Sequence, residues 1–364
     1  MGKPSIMRYI KENYDINKNK ISQKLGIEFL QNKVIAIDLY QLMYKFLHNE
    51  HKHYLTSMIC YLIYLNKYNI KPIFVIDGKP PIEKMNILKK RKNKKDKSKN
   101  IIDNEENKIK EIERDLENEN VNKLNEKDKA DLEDKMQKAL ENIKKHKKRT
   151  AKVSKEHIDN IKKLFDLLQY PYIHNTEREA DYVCAQLVIN NIAFACLSND
   201  FDLITHQCPL VIRDFNIVDN TFIIYSLDKI SKLLGLSIQD TTNMIILNGT
   251  DYQSKRHPYD FKYIHTLLKQ NLSIDKVRSL LHFGKIEYEN VYKIFVEFSS
   301  KEQLLNEIKF SHNINKNERF IDEKELEMFK NTSSKEFCLK NKDVYYLSNN
   351  LDKLTGTINM SDLF

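Results

Sequence analysis

The sequence predicts an α/β fold with a mostly parallel central sheet flanked by helices, a long charged helical insertion, and a mainly helical C-terminal region. Three observations carry this. Short, continuous apolar runs end in aspartate, as strands buried on both faces of a parallel sheet do. The first two runs are separated by a helical apolar period, giving strand, helix, strand. Between residues 89 and 149 there is neither Gly nor Pro, and apolar residues recur at helical spacing within a highly charged segment.

In chain order, Val34 to Ile37 is a strand run closed by Asp38. Tyr54 to Tyr68 is a helix with Met58, Leu62 and Leu65 on one face, and Ile73 to Ile76 is a second strand closed by Asp77 and Gly78. The 89–149 segment opens on "KKRKNKKDKSK", turns acid-rich from Asp103 to Glu141 and closes on "KKHKKR". Ile109, Ile112 and Leu116, and then Leu132, Met136, Ala139 and Ile143, predict two amphipathic helices packed as a hairpin with a break near 118–125. A solvated, partly disordered insertion is the alternative reading of the same charges. Residues 154–169 predict a helix with Ser154 as N-cap and an apolar stripe through Ile158, Ile161, Leu164, Phe165 and Leu168. Another helix is expected over 177–190 and a strand over 193–197. Strands near 210–212 and 222–225 and helices over 228–234 and 238–247 complete the pattern. The division expected is 1–91 and 149–252 for two parts of one core, 92–148 for the insertion, and 253–364 for the helical C-terminal region with a short tail.

The chain has 364 residues, 41% apolar and 30% charged, with formal net charge +9. That balance favours a polyanionic partner. Five scattered cysteines without a CxxC pair argue against a disulfide framework or a zinc site and for a reducing compartment. No apolar run reaches the roughly 18 residues of a membrane span, and the N-terminus lacks a signal-peptide core, so a soluble, intracellular protein without membrane partners is expected.

The acids carry the chemistry. Asp38, Asp77 and Asp200 sit at the carboxyl ends of three predicted strands, the edge where open α/β sheets bind ligands. Asp202 lies two residues past Asp200 in "SNDFDLIT", Glu177 and Glu179 open a helix in "NTEREADY", and Asp251 comes directly after "ILNGT". Each has an ordinary alternative as a helix cap, a turn former or a complement to a helix dipole. Convergence on one edge changes the reading, because unpaired carboxylates that close protonate or splay. Divalent cations resolve this, and hard oxygen donors without Cys or His suit Mg²⁺, with Mn²⁺ as the alternative. Seven carboxylates exceed the needs of one hydrated octahedral ion and suit two, about 3.5–4 Å apart, an arrangement used to cleave phosphodiesters.

These residues carry a family resemblance. "VIAIDLYQLMYKFL", "IFVIDGKPPIEKMNILKKR", "KVSKEHIDNIKKLFDLLQYPYIHNTEREADYVCAQLV", "FACLSNDFDLIT" and "ILNGTDY" resemble, in order, the nuclease motifs of the flap endonuclease family, the XPG-type structure-specific 5′ nucleases. The resemblance implies a PIN-like 5′ nuclease fold whose insertion is a helical arch. It implies one metal region held by Asp38, Asp77, Glu177 and Glu179 and a second held by Asp200, Asp202 and Asp251. It further implies that Lys84 and Arg91, seven apart and so on one helix face, engage the scissile phosphate, and that Tyr44 stacks on a terminal base. Gly2 matches the family's Met-Gly start, but "KPSIM" departs from the family's Ile-x-Gly-Leu continuation.

The activity implied is Mg²⁺-dependent hydrolysis of flap or branched DNA near single-strand/double-strand junctions, in replication, repair or recombination. The place implied is the nucleus or another site of DNA replication, with the cytoplasm as alternative. A 5′→3′ exonuclease or a junction resolvase could use the same core, a PIN-type ribonuclease uses a similar acidic cluster, and a non-catalytic nucleic-acid-binding scaffold is the reading from another class. The span from Arg91 to Arg149 is about twice that of simple family members, so an enlarged arch is expected. After Asp251 the family's Gly-Ile-Gly duplex-binding element, often with K⁺, is replaced by "YQSKRHPYDFKYIHTLLKQ"; Lys255, Arg256, Lys262 and Lys269 are left as candidate phosphate contacts. At the C-terminus, Met360, Leu363 and Phe364 roughly match the hydrophobic spacing of a sliding-clamp peptide, with Thr357 where such peptides carry Gln.

Overall fold

The computed structural model describes residues 6–15, 21–49, 54–117, 126–150, 152–175, 177–253, 259–270 and 272–309. The strands are β1 (Ser22–Gly26), β2 (Val34–Asp38), β3 (Lys71–Ile76), β4 (Tyr172–His174), β5 (Ala195–Leu197), β6 (Leu210–Asn216) and β7 (Thr221–Ser226). The helices of the same body are α1 (Ile6–Asn13), α2 (Leu39–Asn49), α3 (Tyr54–Lys67), α6 (Lys155–Leu168), α7 (Ala180–Ile189), the single turn α8 (Asp202–Thr205), α9 (Leu227–Leu234) and α10 (Ile238–Asn248), then α11 (Phe261–Leu268), α12 (Ile274–Leu280), α13 (Lys285–Val296) and α14 (Lys301–Glu307). Two long helices, α4 (Met85–Glu117) and α5 (Glu126–Thr150), form a second compact unit spanning Met85–Lys152.

The seven strands make one sheet in the order β1-β7-β6-β5-β2-β3-β4. The pairs β6–β5, β5–β2, β2–β3 and β3–β4 are parallel, and the hairpin β6–β7 and the edge strand β1 add an antiparallel flank. Period-two alternation sorts the central strands onto two faces. Ile35, Ile37, Phe74 and Ile76 pack with Met58, Leu62 and Leu65 of α3 and Ile161 and Phe165 of α6. Ala36, Ile73 and Val75 point the other way, against Val183 and Leu187 of α7. The Phe74 and Phe165 rings stack at 4.3 Å between centroids. A separate helical core joins α1 to α9–α13 through Ile10, Ile230, Ile246, Ile264 and Phe295.

Ser154 caps α6 as expected: its Oγ accepts the His157 N–H at 3.1 Å, and its own N–H donates to His157 Nδ1 at 3.2 Å. The other end of α6 closes on Gln169 in the left-handed conformation (φ 57°), where α9 uses Gly235 (φ 66°). A side chain in that conformation meets the neighbouring carbonyl, a penalty glycine escapes. Gln169→Gly should therefore raise stability by about 0.5–1 kcal/mol after the extra backbone entropy of glycine is deducted. A urea-unfolding midpoint measures it, and an unchanged or lower midpoint would show that the Gln169 side chain itself stabilises the turn.

In the second unit the predicted helix pair is present, and both helices run past the 92–148 limits drawn from sequence. The predicted break at 118–125 lies outside the described residues. Ser98, Ile102, Ala139, Ile143 and His146 are buried along the seam, with Ile109, Ile112, Leu132 and Met136 half-buried. Positions 98, 102, 105, 109 and 112, and 132, 136, 139, 143 and 146, keep the alternating four- and three-residue steps of a coiled-coil seam. Asn142 donates to Glu105 at 3.3 Å and Lys147 pairs with Glu106 at 3.1 Å across the helices, fixing an antiparallel register.

Among the described residues no helix is long and apolar enough to cross a membrane. Cys60, Cys184, Cys196 and Cys208 are buried thiols outside any disulfide, and Cys338 lies outside the described residues.

Candidate active site

Parallel pairing sets the site. β2 lies between β3 and β5, so the carboxyl ends of three adjacent strands open on one edge. Asp38 is the last residue of β2, Asp77 comes directly after β3, and Asp200 stands three residues past β5. Asp38 Oδ1 accepts the Gln41 N–H at 3.2 Å. Burial, with Asp77 and Asp200 nearby, nevertheless pushes the Asp38 carboxyl up to about 7. Asp77 is also raised, by burial first; the Ala180 N–H at 2.7 Å opposes this, Glu179 adds to it and Lys84 offsets part. Asp200 accepts the Asp202 N–H at 3.0 Å in a local turn that starts α8.

The helix expected over 177–190 does not include Glu177 and Glu179. The helix starts at Ala180, with Glu179 as the extended N-cap residue and Glu177 exposed before it. The reason is tertiary: Asp77 takes the Ala180 N–H, and the Gly78 N–H bonds the Arg178 carbonyl at 2.9 Å, holding the incoming chain extended against the end of β3. The freed Glu179 carboxylate binds Lys84 Nζ at 2.5 Å through Oε1 and accepts the Tyr252 hydroxyl at 2.5 Å through Oε2. Lys84 Nζ also lies 5.2 Å from the Tyr252 ring centroid. Burial and Glu179 hold the Tyr252 phenol far above its usual value, so it remains a proton donor. Asp251, its neighbour, is half-buried in the turn after α10, where Gly249 has φ 115°.

Two residues that pattern reading passed over belong here. Tyr252 is one. Asp181, in the first turn of α7, is the other: its Oδ1 is shut from solvent without a hydrogen-bond partner. Burial and the charges of Asp38, Asp200, Asp202 and Asp77 hold its carboxyl well above the usual range.

The site thus gathers Asp38, Asp77, Glu179, Asp181, Asp200 and Asp202 as electrostatic neighbours. Among the described residues no three His, Cys, Asp or Glu side chains stand as a ready-made chelating group. The all-oxygen donor set, its self-repulsion and the orphaned Asp181 oxygen fit a hard divalent cation. A cavity of about 400 Å³ opens beside Asp38, lined also by Gln41, Lys45, Asn199 and Arg213.

The remaining predicted positions divide. Lys84 and Arg91 do not share one continuous helix: Lys84 ends a 3-10 turn, Ile82–Lys84, and α4 begins at Met85. Arg91 is exposed on α4, in the second compact unit. Tyr44 is half-buried on α2 and packs against the main core. Lys262 is exposed on α11 and Lys269 is exposed at its end. Gly2, Lys255, Arg256, Thr357, Met360, Leu363 and Phe364 lie outside the described residues.

Comparison with known proteins places two regions of the chain. The XPG N-terminal domain matches residues 1–98 and the XPG I-region matches residues 169–251. The chain is 28% identical over 311 residues to flap endonuclease 1 of Cryptosporidium muris, covering 78% of this chain but only 59% of that protein. It therefore spans less than two thirds of that relative's length. In fold it is similar to the catalytic core of Rad2 in complex with a DNA substrate (TM-score 0.55, 17% identity, 97% of this chain and 99% of the other). It is likewise similar to human GEN1 in complex with Holliday junction DNA (TM-score 0.55, 16% identity, 97% and 79%). With its two motif regions supplying the acids on the sheet edge, the chain belongs to the XPG family of nucleases.

Proposed function

We propose that this protein is a metal-dependent, structure-specific 5′ nuclease that hydrolyses phosphodiesters near single-strand/double-strand junctions of flap or branched DNA. The observation that carries the reading is the gathering of Asp38, Asp77, Glu179, Asp200 and Asp202 at one sheet edge of an XPG-family chain. Asp38, Asp77, Glu177 and Glu179 hold one Mg²⁺ region in this proposal and Asp200, Asp202 and Asp251 the second, with Mn²⁺ as a substitute. Two such ions, when bound, activate water and stabilise the leaving oxygen.

The chain's own residues do the rest. Lys84, at the edge of the site, supplies a fixed cation for charge on the phosphoryl oxygens, and Arg91 supplies a second. Tyr44 offers a ring for a terminal base. Residues 89–99 carry eight Lys or Arg against one Asp, so the start of α4 suits the backbone of a single strand. Lys255, Arg256 and Lys262 are the proposed contacts to the duplex, and Gly2 a contact near the N-terminus. A sliding-clamp contact through Met360, Leu363 and Phe364 rests on their spacing alone.

The reading is tested with end-labelled flap, nicked and four-way DNA, plus an RNA flap, digested with Mg²⁺. Cleavage of the DNA flap near its junction is expected. Symmetric nicking of the four-way junction in preference to the flap would make the protein a resolvase, and stepwise mononucleotide release would make it an exonuclease. Preferential RNA cleavage would indicate a PIN-type ribonuclease. Binding without cleavage in Mg²⁺ and Mn²⁺ alike would overturn the reading in favour of a scaffold.

A further inference from the structure

Asp181 differs from the acids assigned above. It stands two residues past Glu179 and falls in the first turn of α7, the helix that packs across β2, β3 and β5. The bond from the Ala180 N–H to Asp77 Oδ1 anchors that turn at the end of β3. An aspartate in a first helical turn ordinarily accepts free N–H groups or faces water. Asp181 Oδ1 does neither, because it is closed to solvent and has no hydrogen-bond partner. Leaving such an atom unsatisfied costs about 1–3 kcal/mol, more for a charged group. The charged groups that act on it most strongly are all acids: Asp38, Asp77, Asp200 and Asp202, from β2, β3 and the segment after β5. A fold that needed only packing here would be better served by an apolar or hydroxyl side chain.

We propose that Asp181 is an eighth carboxylate of the metal centre, a positioning residue whose Oδ1 accepts hydrogen bonds from the hydration shell of a divalent cation held by its neighbours. The inference rests on the nuclease reading of the site. Mg²⁺ and Mn²⁺ retain several waters when carboxylates bind them, and each of those waters needs an acceptor. Asp181, two residues beyond Glu179 and within the field of both proposed ligand groups, supplies one. Loss of an outer acceptor of this kind typically weakens metal affinity ten- to a hundredfold.

The test is Mn²⁺ binding to the full chain, monitored by electron paramagnetic resonance or calorimetry, for the wild type, Asp181→Asn, Asp181→Ser and Asp38→Asn. Metal-free melting temperatures are measured in parallel. Mn²⁺ affinity about tenfold or more weaker in both Asp181 variants is expected, with metal-free melting temperatures equal to or above wild type because a buried carboxyl oxygen without a partner is gone. Wild-type Mn²⁺ affinity in the Asp181 variants, alongside loss in Asp38→Asn, would overturn the inference and leave the metal-site reading intact. Absence of Mn²⁺ binding by the wild type up to millimolar concentration would overturn both. Asp181→Ser, smaller and uncharged, settles the question if Asp181→Asn does not fold.

Discussion

Asp202→Ala should reduce Mg²⁺-dependent cleavage of a labelled DNA flap by three orders of magnitude or more, which corresponds to removing about 4 kcal/mol of transition-state stabilisation. The fold should tolerate the change. The hydrogen bond that starts α8 runs from the Asp202 backbone N–H to Asp200 Oδ1, and alanine keeps that donor. The local loss is an acid in the first turn of a one-turn helix, about 0.5 kcal/mol. The chemical loss is a carboxylate whose charge is felt at both Asp181 and Tyr252. DNA affinity should stay the same or rise slightly, because a negative charge has left a surface proposed to meet phosphates. Single-turnover cleavage with Mg²⁺ and equilibrium binding with Ca²⁺ separate the two quantities. A variant that cuts at the wild-type rate would remove Asp202 from the metal centre.

The second large effect is expected at Lys84. Its ion pair with Glu179 is mostly buried, the two side chains being 15% and 14% exposed. Lys84→Met leaves the Glu179 carboxylate with the Tyr252 hydroxyl as its remaining named partner and Asp77 close by. Breaking a buried pair from one side costs about 3 kcal/mol, so the metal-free protein should melt markedly lower. Cleavage should fall about 10²–10³-fold, the usual loss when one fixed charge facing the phosphoryl oxygens is removed. Adding Glu179→Gln should restore most of the stability, because the unpaired charge is gone, without restoring cleavage. Urea melts of the four proteins in EDTA, set beside their single-turnover rates, form the cycle. Full activity of Lys84→Met would reduce Lys84 to a counter-ion for Glu179.

These two residues also show how far a linear reading can reach. Asp38, Asp77 and Asp200 were legible because each closes an apolar run buried on both faces, and parallel strands put their carboxyl ends on one edge. Ser154 was legible because capping is local. β1, reading SQKLG, was not: an edge strand paired only with β7 keeps one side polar and shows no apolar run. β4 is three residues long, too short to carry a period. Glu-Arg-Glu before Ala180 favours helix locally, yet Asp77, about a hundred positions earlier in the chain, decides where α7 starts. The spacing of Lys84 and Arg91 suggested one helix face, and the 3-10 turn after Pro80 and Pro81 interrupts it. Asp181 was hidden by its ordinariness, because an acid in a first helical turn has a common explanation and only burial removes it.

The helix pair Met85–Lys152 has a consequence for how the rest of the chain finds its fold. β3 and β4 are neighbours in the sheet, with Ile76 opposite His174, although the whole pair lies between them in sequence. Helix pairing is local and completes in microseconds, whereas a parallel strand pair must first close its intervening loop. An antiparallel seam, pinned where Asn142 meets Glu105 and Lys147 meets Glu106, draws the two halves of the insertion together. Once it has zipped, the loop that β3 and β4 must close is roughly half as long, worth about 0.6 kcal/mol of closure entropy. The insertion is then a folding aid as well as a surface. Weakening its seam, at Ile102 or Ile143, should slow assembly of the catalytic sheet without touching a residue of it.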